Sequence, residues 1–199
     1  MADAKARGPA GARTRAVHSG SEPDPLTGSE GIPIHRTTGF TFPTLREMSE
    51  TFGGRGGRYI YTRFDNPSLR ESEEKLLALE GAPAGAGSVV FSSGMAALTA
   101  SLMAVLSSGD HLIAQEEIYG GTTGLLGRVL SRCGVGFDFL GVDDLARPEA
   151  LTAAGRPTTR AVLLESPCNP TMRVVDLQAV ARTARQRGWV ILIDNTIAS

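Results

Sequence analysis

The chain's 199 residues suffice for one domain or a large part of one, and 41% hydrophobic with 21% charged residues allows a packed core. A formal net charge of −1, with the basic residues scattered along the chain, argues against a nucleic-acid surface. The longest apolar runs, such as residues 189–193, are far too short to span a bilayer, and the amino-terminal stretch bearing Lys5, Arg7, Arg13 and Arg15 has no apolar signal-peptide segment.

Residues 1 to about 58 lack hydrophobic periodicity and are rich in Gly, Pro, Ser and Thr. Their run Gly53-Gly-Arg-Gly-Gly57 reads as a mobile loop. Such an opening is too long for an ordinary connection, so it is expected to be partly disordered or to be an arm that packs on something else. From Asn66 the texture changes. Asn66 caps a helix that starts at Pro67, with Leu69, Ser72, Leu76 and Leu79 as its inner face and Gly81 as its stop. Residues 88–91 read as a short apolar strand, and 94–106, apolar all round, as a buried helix. A strand at 111–115, a helix at 122–132 and a strand at 135–140 follow. A weak helix near 144–154 leads to a strong strand at 160–165. Asp176 caps a helix with Leu177, Val180, Ala181 and Ala184 at i, i+3, i+4 and i+7, ended by Gly188. A buried strand at 189–194 comes next and carries Asp194 at its end.

Strand and helix alternate with short turns, the signature of an α/β fold with a mostly parallel sheet and helices on both faces. Ligands of such sheets bind beyond the carboxyl ends of the strands. Four marked segments fall there. Ser92-Ser93-Gly94-Met95 opens a helix, so its backbone N–H groups suit a phosphate; the same residues also describe an ordinary strand-to-helix turn. Neither a Walker loop nor a G-x-G-x-x-G fingerprint is present. Tyr119-Gly-Gly-Thr122 offers a ring to a planar ligand or simply a packed turn. Glu165-Ser-Pro-Cys-Asn169-Pro170 is a proline-stiffened loop holding the Asn169 amide, for a ligand oxygen or for a local turn. Asp194 is either a cap or a carboxylate for a protonated ring nitrogen. Upstream, Tyr61 and Arg63 stand two apart on an extended segment, suited to a phosphate or to solvent. Cys133 and Cys168 have no metal or disulfide-framework spacing and suggest a reducing compartment, so a soluble, cytoplasmic protein is expected. Cys168 reads as a buried thiol without an activating neighbour.

Taken in order, Tyr61-Thr-Arg63, Asn66-Pro67, Ser93-Gly94-Met95-Ala96-Ala97, Gly109-Asp110-His111, Tyr119-Gly-Gly-Thr122, Glu165-Ser-Pro-Cys-Asn169-Pro170 and Asp194-Asn-Thr196 resemble the Cys/Met-metabolism family of pyridoxal phosphate enzymes. That family includes cystathionine γ-synthase, cystathionine γ-lyase, methionine γ-lyase and O-acyl-homoserine sulfhydrylases. The resemblance implies the large domain of a type I, aspartate-aminotransferase-like fold, with γ-elimination or γ-replacement on homoserine- or cystathionine-type amino acids. It implies pyridoxal 5'-phosphate as cofactor, no metal, and a homo-oligomer, a dimer of dimers, with no nucleic-acid or membrane partner. Ser93, Gly94 and Met95 would hold the cofactor phosphate. Tyr61 and Arg63 would reach the phosphate in a neighbouring subunit. Tyr119 would stack on the ring and aid proton transfer to the γ-leaving group, Asn169 would contact the ring hydroxyl, and Asp194 would pair with the ring nitrogen.

The chain departs from the family in two respects. Its lysines are Lys5 and Lys75, neither in the family's Ser-x-Thr-Lys context, so the cofactor-linking lysine and the smaller C-terminal domain are expected beyond Ser199. Residues 1–58 are then an arm and 59–199 an incomplete cofactor-binding domain, inactive alone. The second departure is Gly121, where methionine γ-lyases typically carry Cys; it tilts the reading toward the cystathionine enzymes or a sulfhydrylase. A cystathionine β-lyase of the same family, or a non-catalytic α/β ligand-binding domain, are the alternatives.

Overall fold

The computed structural model describes residues 11–198, which fall into two compact units, one ending at Val90 and one beginning at Phe91. Of the amino-terminal tail with Lys5, residues 1–10 lie outside the described residues.

The first unit carries α1 (Ala12–His18), α2 (Leu45–Phe52) and α3 (Pro67–Glu80). The third of these begins and ends as the sequence predicts: the Asn66 side chain accepts from Ser68 N–H, Pro67 takes the first position, and Gly81 stops the helix at a left-handed φ of 62°. Asn66 also donates from Nδ2 to His35 O and Thr62 Oγ1, both at 3.0 Å, which ties the preceding chain to the cap. The second helix lies in the stretch read as unpatterned. Its signal is a capping box, Thr44 accepting from Glu47 N–H at 3.2 Å with the Glu47 carboxylate returning to the Thr44 hydroxyl.

Contrary to the expected inner face, Leu69, Leu76 and Leu79 are exposed, and among the described residues no hydrophobic side chain of this unit is buried. Periodicity makes an apolar stripe; only an apolar partner surface turns it into a core. Polar and aromatic contacts hold the unit instead. Examples are Lys75 with Glu71 at 2.6 Å, Arg58 with Glu47 at 2.8 Å, an antiparallel bridge Gly39–Tyr61, and the Phe40 and Tyr59 rings 5.3 Å apart.

The second unit is an α/β layer structure. Helix α4 (Gly94–Val105) precedes β1 (His111–Gln115). Next come α5 (Gly120–Leu125), β2 (Gly136–Leu140), the short α6 (Val142–Leu145) and α7 (Pro148–Ala154), β3 (Thr159–Glu165), α8 (Leu177–Arg187) and β4 (Val190–Asp194). The strands pair in parallel in the order β2-β1-β3-β4. Both central strands are almost wholly buried, which is why they read as continuous apolar runs and not as alternations.

Successive residues of each strand serve opposite faces. Leu112, Ala114, Ala161 and Leu163 pack in one cluster with Leu102 of α4 and with Leu125, Leu126 and Leu130. Ile113, Val162 and Leu164 pack in the other with Leu145, Leu151, Val180 and Ala184 from α6, α7 and α8. Helices thus cover both faces, as the alternation predicts.

Several expected elements come out differently. Residues 88–91 form no strand and Val89 is exposed, since an apolar run becomes a strand only with a hydrogen-bonding neighbour. The apolar α4 buries only Leu102 along its length and leaves Met103 exposed, because only part of its surface meets the sheet. The helix expected at 122–132 passes from α5 into a π-helical turn, Leu126–Leu130, which directs both its end leucines into the core. The helix expected near 144–154 is split, since Pro148 cannot continue α6 and instead starts α7. Finally, β4 is an edge strand with Val190 and Ile193 exposed, not a buried one.

Candidate functional site

In the order β2-β1-β3-β4 the chain leaves β1 in one direction for β2 and then returns across it to β3. Between the carboxyl ends of β1 and β3 the two connections diverge, and such a switch point opens a crevice in which α/β proteins seat ligands. The loop after β1 carries Tyr119, and the loop after β3 carries Asn169. Asp194 ends β4 beside Glu165, its register partner at the end of β3.

A cleft of about 220 Å³ lies at this place, and Gly94, Met95, Tyr119, Asn169 and Asp194 all line it. Ser93 stands at its edge as the N-cap of α4, its hydroxyl accepting from Ala96 N–H at 3.1 Å. The next two N–H groups, of Gly94 and Met95, meet no acceptor among the described residues. A twelve-residue helix with free amides at its start favours an anion. Open space surrounds the Gly94 Cα, so an anionic oxygen can come close to the backbone.

Asp194 is half-buried, and its Oδ1 accepts from Thr196 N–H at 3.1 Å and from the Thr196 hydroxyl. Its Oδ2 makes no hydrogen bond among the described residues. Tyr119 is 46% exposed, as suits a ring that faces a cleft and not a core. Gly121 is shaped around that ring: a Cβ there would stand 2.3 Å from Tyr119 Cε1. Gly121→Ala is therefore expected to rotate the Tyr119 ring off its present position, which a crystal structure of the variant reads directly; an unmoved ring discards this account of the glycine.

Cys168 is fully buried beneath the site, and burial pushes its thiol above the ordinary range, in keeping with an inert packing role. Tyr61 and Arg63 belong to the first unit, where the Arg63 guanidinium lies 5.0 Å from the Tyr61 ring centroid. Among the described residues no lysine lines the cleft, and Lys75 is paired with Glu71 in the first unit.

Sequence reasoning gave no role to Glu165 or Gln115, yet both organise the cleft. Glu165 is 4% exposed and accepts Tyr119 N–H at 2.6 Å on one oxygen and Asn169 N–H at 3.0 Å on the other. Gln115, fully buried, accepts Glu165 N–H at 3.2 Å and donates to Glu117 O at 2.6 Å. The available signal was polarity itself: each directly follows an apolar run, Leu112-Ile-Ala114 in β1 and Ala161-Val-Leu-Leu164 in β3. Such a residue, buried, must have partners.

Among the described residues no group of His, Cys, Asp and Glu is arranged to hold a metal, and no helix is long and apolar enough to cross a membrane.

Comparison with known proteins agrees with this geometry. Residues 13–199 match the family model described as Cys/Met metabolism PLP-dependent enzyme. A protein of Herpetosiphon aurantiacus named "Probable cystathionine gamma-synthase" is 39% identical over 95% of this chain and 54% of its own length. L-methionine gamma-lyase of Pseudomonas putida is 36% identical over 94% of this chain and 45% of its own. The metY protein of Campylobacter jejuni subsp. jejuni, solved with N'-pyridoxyl-lysine-5'-monophosphate, superposes with a TM-score of 0.87 at 30% identity, covering 94% of this chain and 45% of that one. The chain spans about half the length of the curated relatives it matches. A family match from residue 13 to residue 199, on a fold shared with solved relatives at 30% identity or more, makes this chain a member of the Cys/Met-metabolism family of pyridoxal phosphate-dependent enzymes.

Proposed function

We propose that the whole protein acts on homoserine- or cystathionine-type amino acids by γ-elimination or γ-replacement, and that the switch-point cleft seats its cofactor. One observation carries the reading: free helix-start amides, an exposed aromatic ring, a side-chain amide and a carboxylate line a single cleft. That donor set fits pyridoxal phosphate, which has an anionic phosphate, a flat ring, a ring hydroxyl and a ring nitrogen that is basic. When bound, the cofactor supplies an electron-accepting ring for the substrate's α-carbon.

The chain's own residues would divide the work. Gly94 and Met95 N–H groups, behind the Ser93 cap, hold the phosphate through the positive end of α4. Tyr119 covers the ring, and its hydroxyl moves a proton to the γ-leaving group. Asn169 orients the ring through its hydroxyl. Asp194 keeps a proton on the ring nitrogen, since a carboxylate beside a cation favours the charged pair. The cofactor-linking lysine is assigned to a segment outside these 199 residues.

Tyr61 and Arg63 are assigned to the phosphate of a neighbouring subunit in a cytoplasmic dimer of dimers. The absence of any buried hydrophobic residue in the described part of the first unit supports this, because a segment without a core needs another surface to order it.

The test is a titration of the 199-residue chain with pyridoxal phosphate, followed by absorbance and fluorescence. Saturable one-to-one binding is expected; a chain that takes up no cofactor discards the seat. Sedimentation equilibrium of the whole enzyme addresses the arm, and a monomer removes the role given to Tyr61 and Arg63.

A further inference from the structure

Both oxygens of the Glu165 carboxylate are taken by backbone N–H groups from two different loops, that of Tyr119 at 2.6 Å and that of Asn169 at 3.0 Å. These loops follow the two central strands and flank the switch point, and each carries one side chain that lines the cleft. The main chain that carries this carboxylate is itself held. Gln115, ending β1, accepts Glu165 N–H, and its amide donates to Glu117 O and to Cys168 Sγ, the latter at 2.8 Å. A polar chain therefore runs from the end of β1 through Glu165 to both loops, and Gln115, Glu165 and Cys168 are all buried.

A second tie joins the same loops. Glu117 pairs with Arg173 at 2.6 Å and accepts from the Thr171 hydroxyl at 2.8 Å. The Arg173 side chain is 41% exposed, so water and salt weaken that ion pair. Glu165, at 4% exposure, is far better shielded, and its bonds to the two N–H groups are charge-assisted, so it dominates the spacing of the loops.

We propose that Glu165 is a positioning residue: its carboxylate sets Tyr119 and Asn169 at a fixed separation, so that ring and amide meet one ligand together. This deepens, and rests on, the reading of the cleft as the pyridoxal phosphate seat. Glu165→Gln is nearly isosteric but has one acceptor oxygen where two are needed. Its NH2 faces an N–H group, and one loop must let go. Glu165→Asp keeps both oxygens but is one methylene too short to reach both loops.

The experiment measures amide hydrogen exchange by NMR and pyridoxal phosphate affinity on the same samples. In the wild-type chain the Tyr119 and Asn169 amides exchange slowly. In E165Q at least one of them exchanges about tenfold faster or more, while Ile113 and Val162 in the strands are unchanged. Affinity for pyridoxal phosphate falls about tenfold in the same variant. In a background of Tyr119→Ala and Asn169→Ala the further change E165Q has little effect on affinity, because the groups it positions are gone.

Unprotected Tyr119 and Asn169 amides in the wild type, or unchanged exchange at both in E165Q, overturn the proposal. So does an undiminished E165Q effect in the doubly substituted background. Should E165Q fail to fold, E165D carries the same readings. A wild-type chain that shows the amide protection and its loss, yet binds no cofactor, refutes the assigned ligand and leaves the positioning role standing.

Discussion

Asp194→Asn lowers affinity for pyridoxal phosphate by about tenfold to a hundredfold and leaves the melting temperature unchanged. The two expectations come from the two oxygens. Oδ1 closes a local turn by accepting from Thr196 N–H at 3.1 Å, and an asparagine carbonyl can do the same. Oδ2 has no hydrogen bond among the described residues, although Asp194 lines the cleft. Substitution replaces it with a donor and removes the charge, so a protonated ring nitrogen loses both its acceptor and its counter-ion. Hydrogen bonds to charged groups are worth about 1.5–3 kcal/mol, which sets the range. Titration of both chains with the cofactor, alongside their thermal melts, checks it. Equal affinities would leave Asp194 as a turn residue only, and a large drop in melting temperature would mean that the side chain is structural.

The largest stability effect is expected at the centre of β3. Leu163 is 0% exposed and belongs to the cluster that joins the sheet to α4 and to the helical turns after β1. Leu163→Ala removes its buried methyl groups and leaves a cavity that a central strand cannot close, at a cost of about 2–5 kcal/mol. A domain of ordinary stability, about 5–15 kcal/mol, loses a substantial part of its margin. The control is Val190→Ala on the edge strand, where the side chain is 44% exposed and the change should stay below about 1 kcal/mol. Urea unfolding midpoints measure both. Comparable losses at the two positions would contradict the assignment of β3 to the centre and β4 to the edge.

The motif residues were recognisable in the sequence because their constraint is local. A helix start needs a cap and free amides, and Ser93-Gly94-Met95 states that in three residues. Asn66-Pro67 with Gly81 does the same for both ends of α3. The central strands were legible because burial on both faces demands uninterrupted apolar residues. The apolar faces of α3, α4 and residues 88–91 misled for one shared reason: hydrophobicity records that a surface suits burial, and only the neighbours decide whether it is buried. Glu165 and Gln115 gave the opposite difficulty, since a polar residue ending a strand looks like the start of a loop until its partners are known.

By itself, then, the sequence determined the parallel α/β class, the helix caps, the two central strands and the family, all of which follow from short-range patterns and their order along the chain. Only the tertiary structure decided that β1 and β3 are neighbours with the chain reversing between them. That arrangement is what brings Tyr119, Asn169, Asp194 and the start of α4 to one cleft. It also decided that the Glu165 carboxylate bridges two loops whose bonded residues, Tyr119 and Asn169, lie fifty positions apart in the sequence. Strand order and long-range hydrogen bonds arise from how layers pack, and no local pattern encodes which strand a buried neighbour will be.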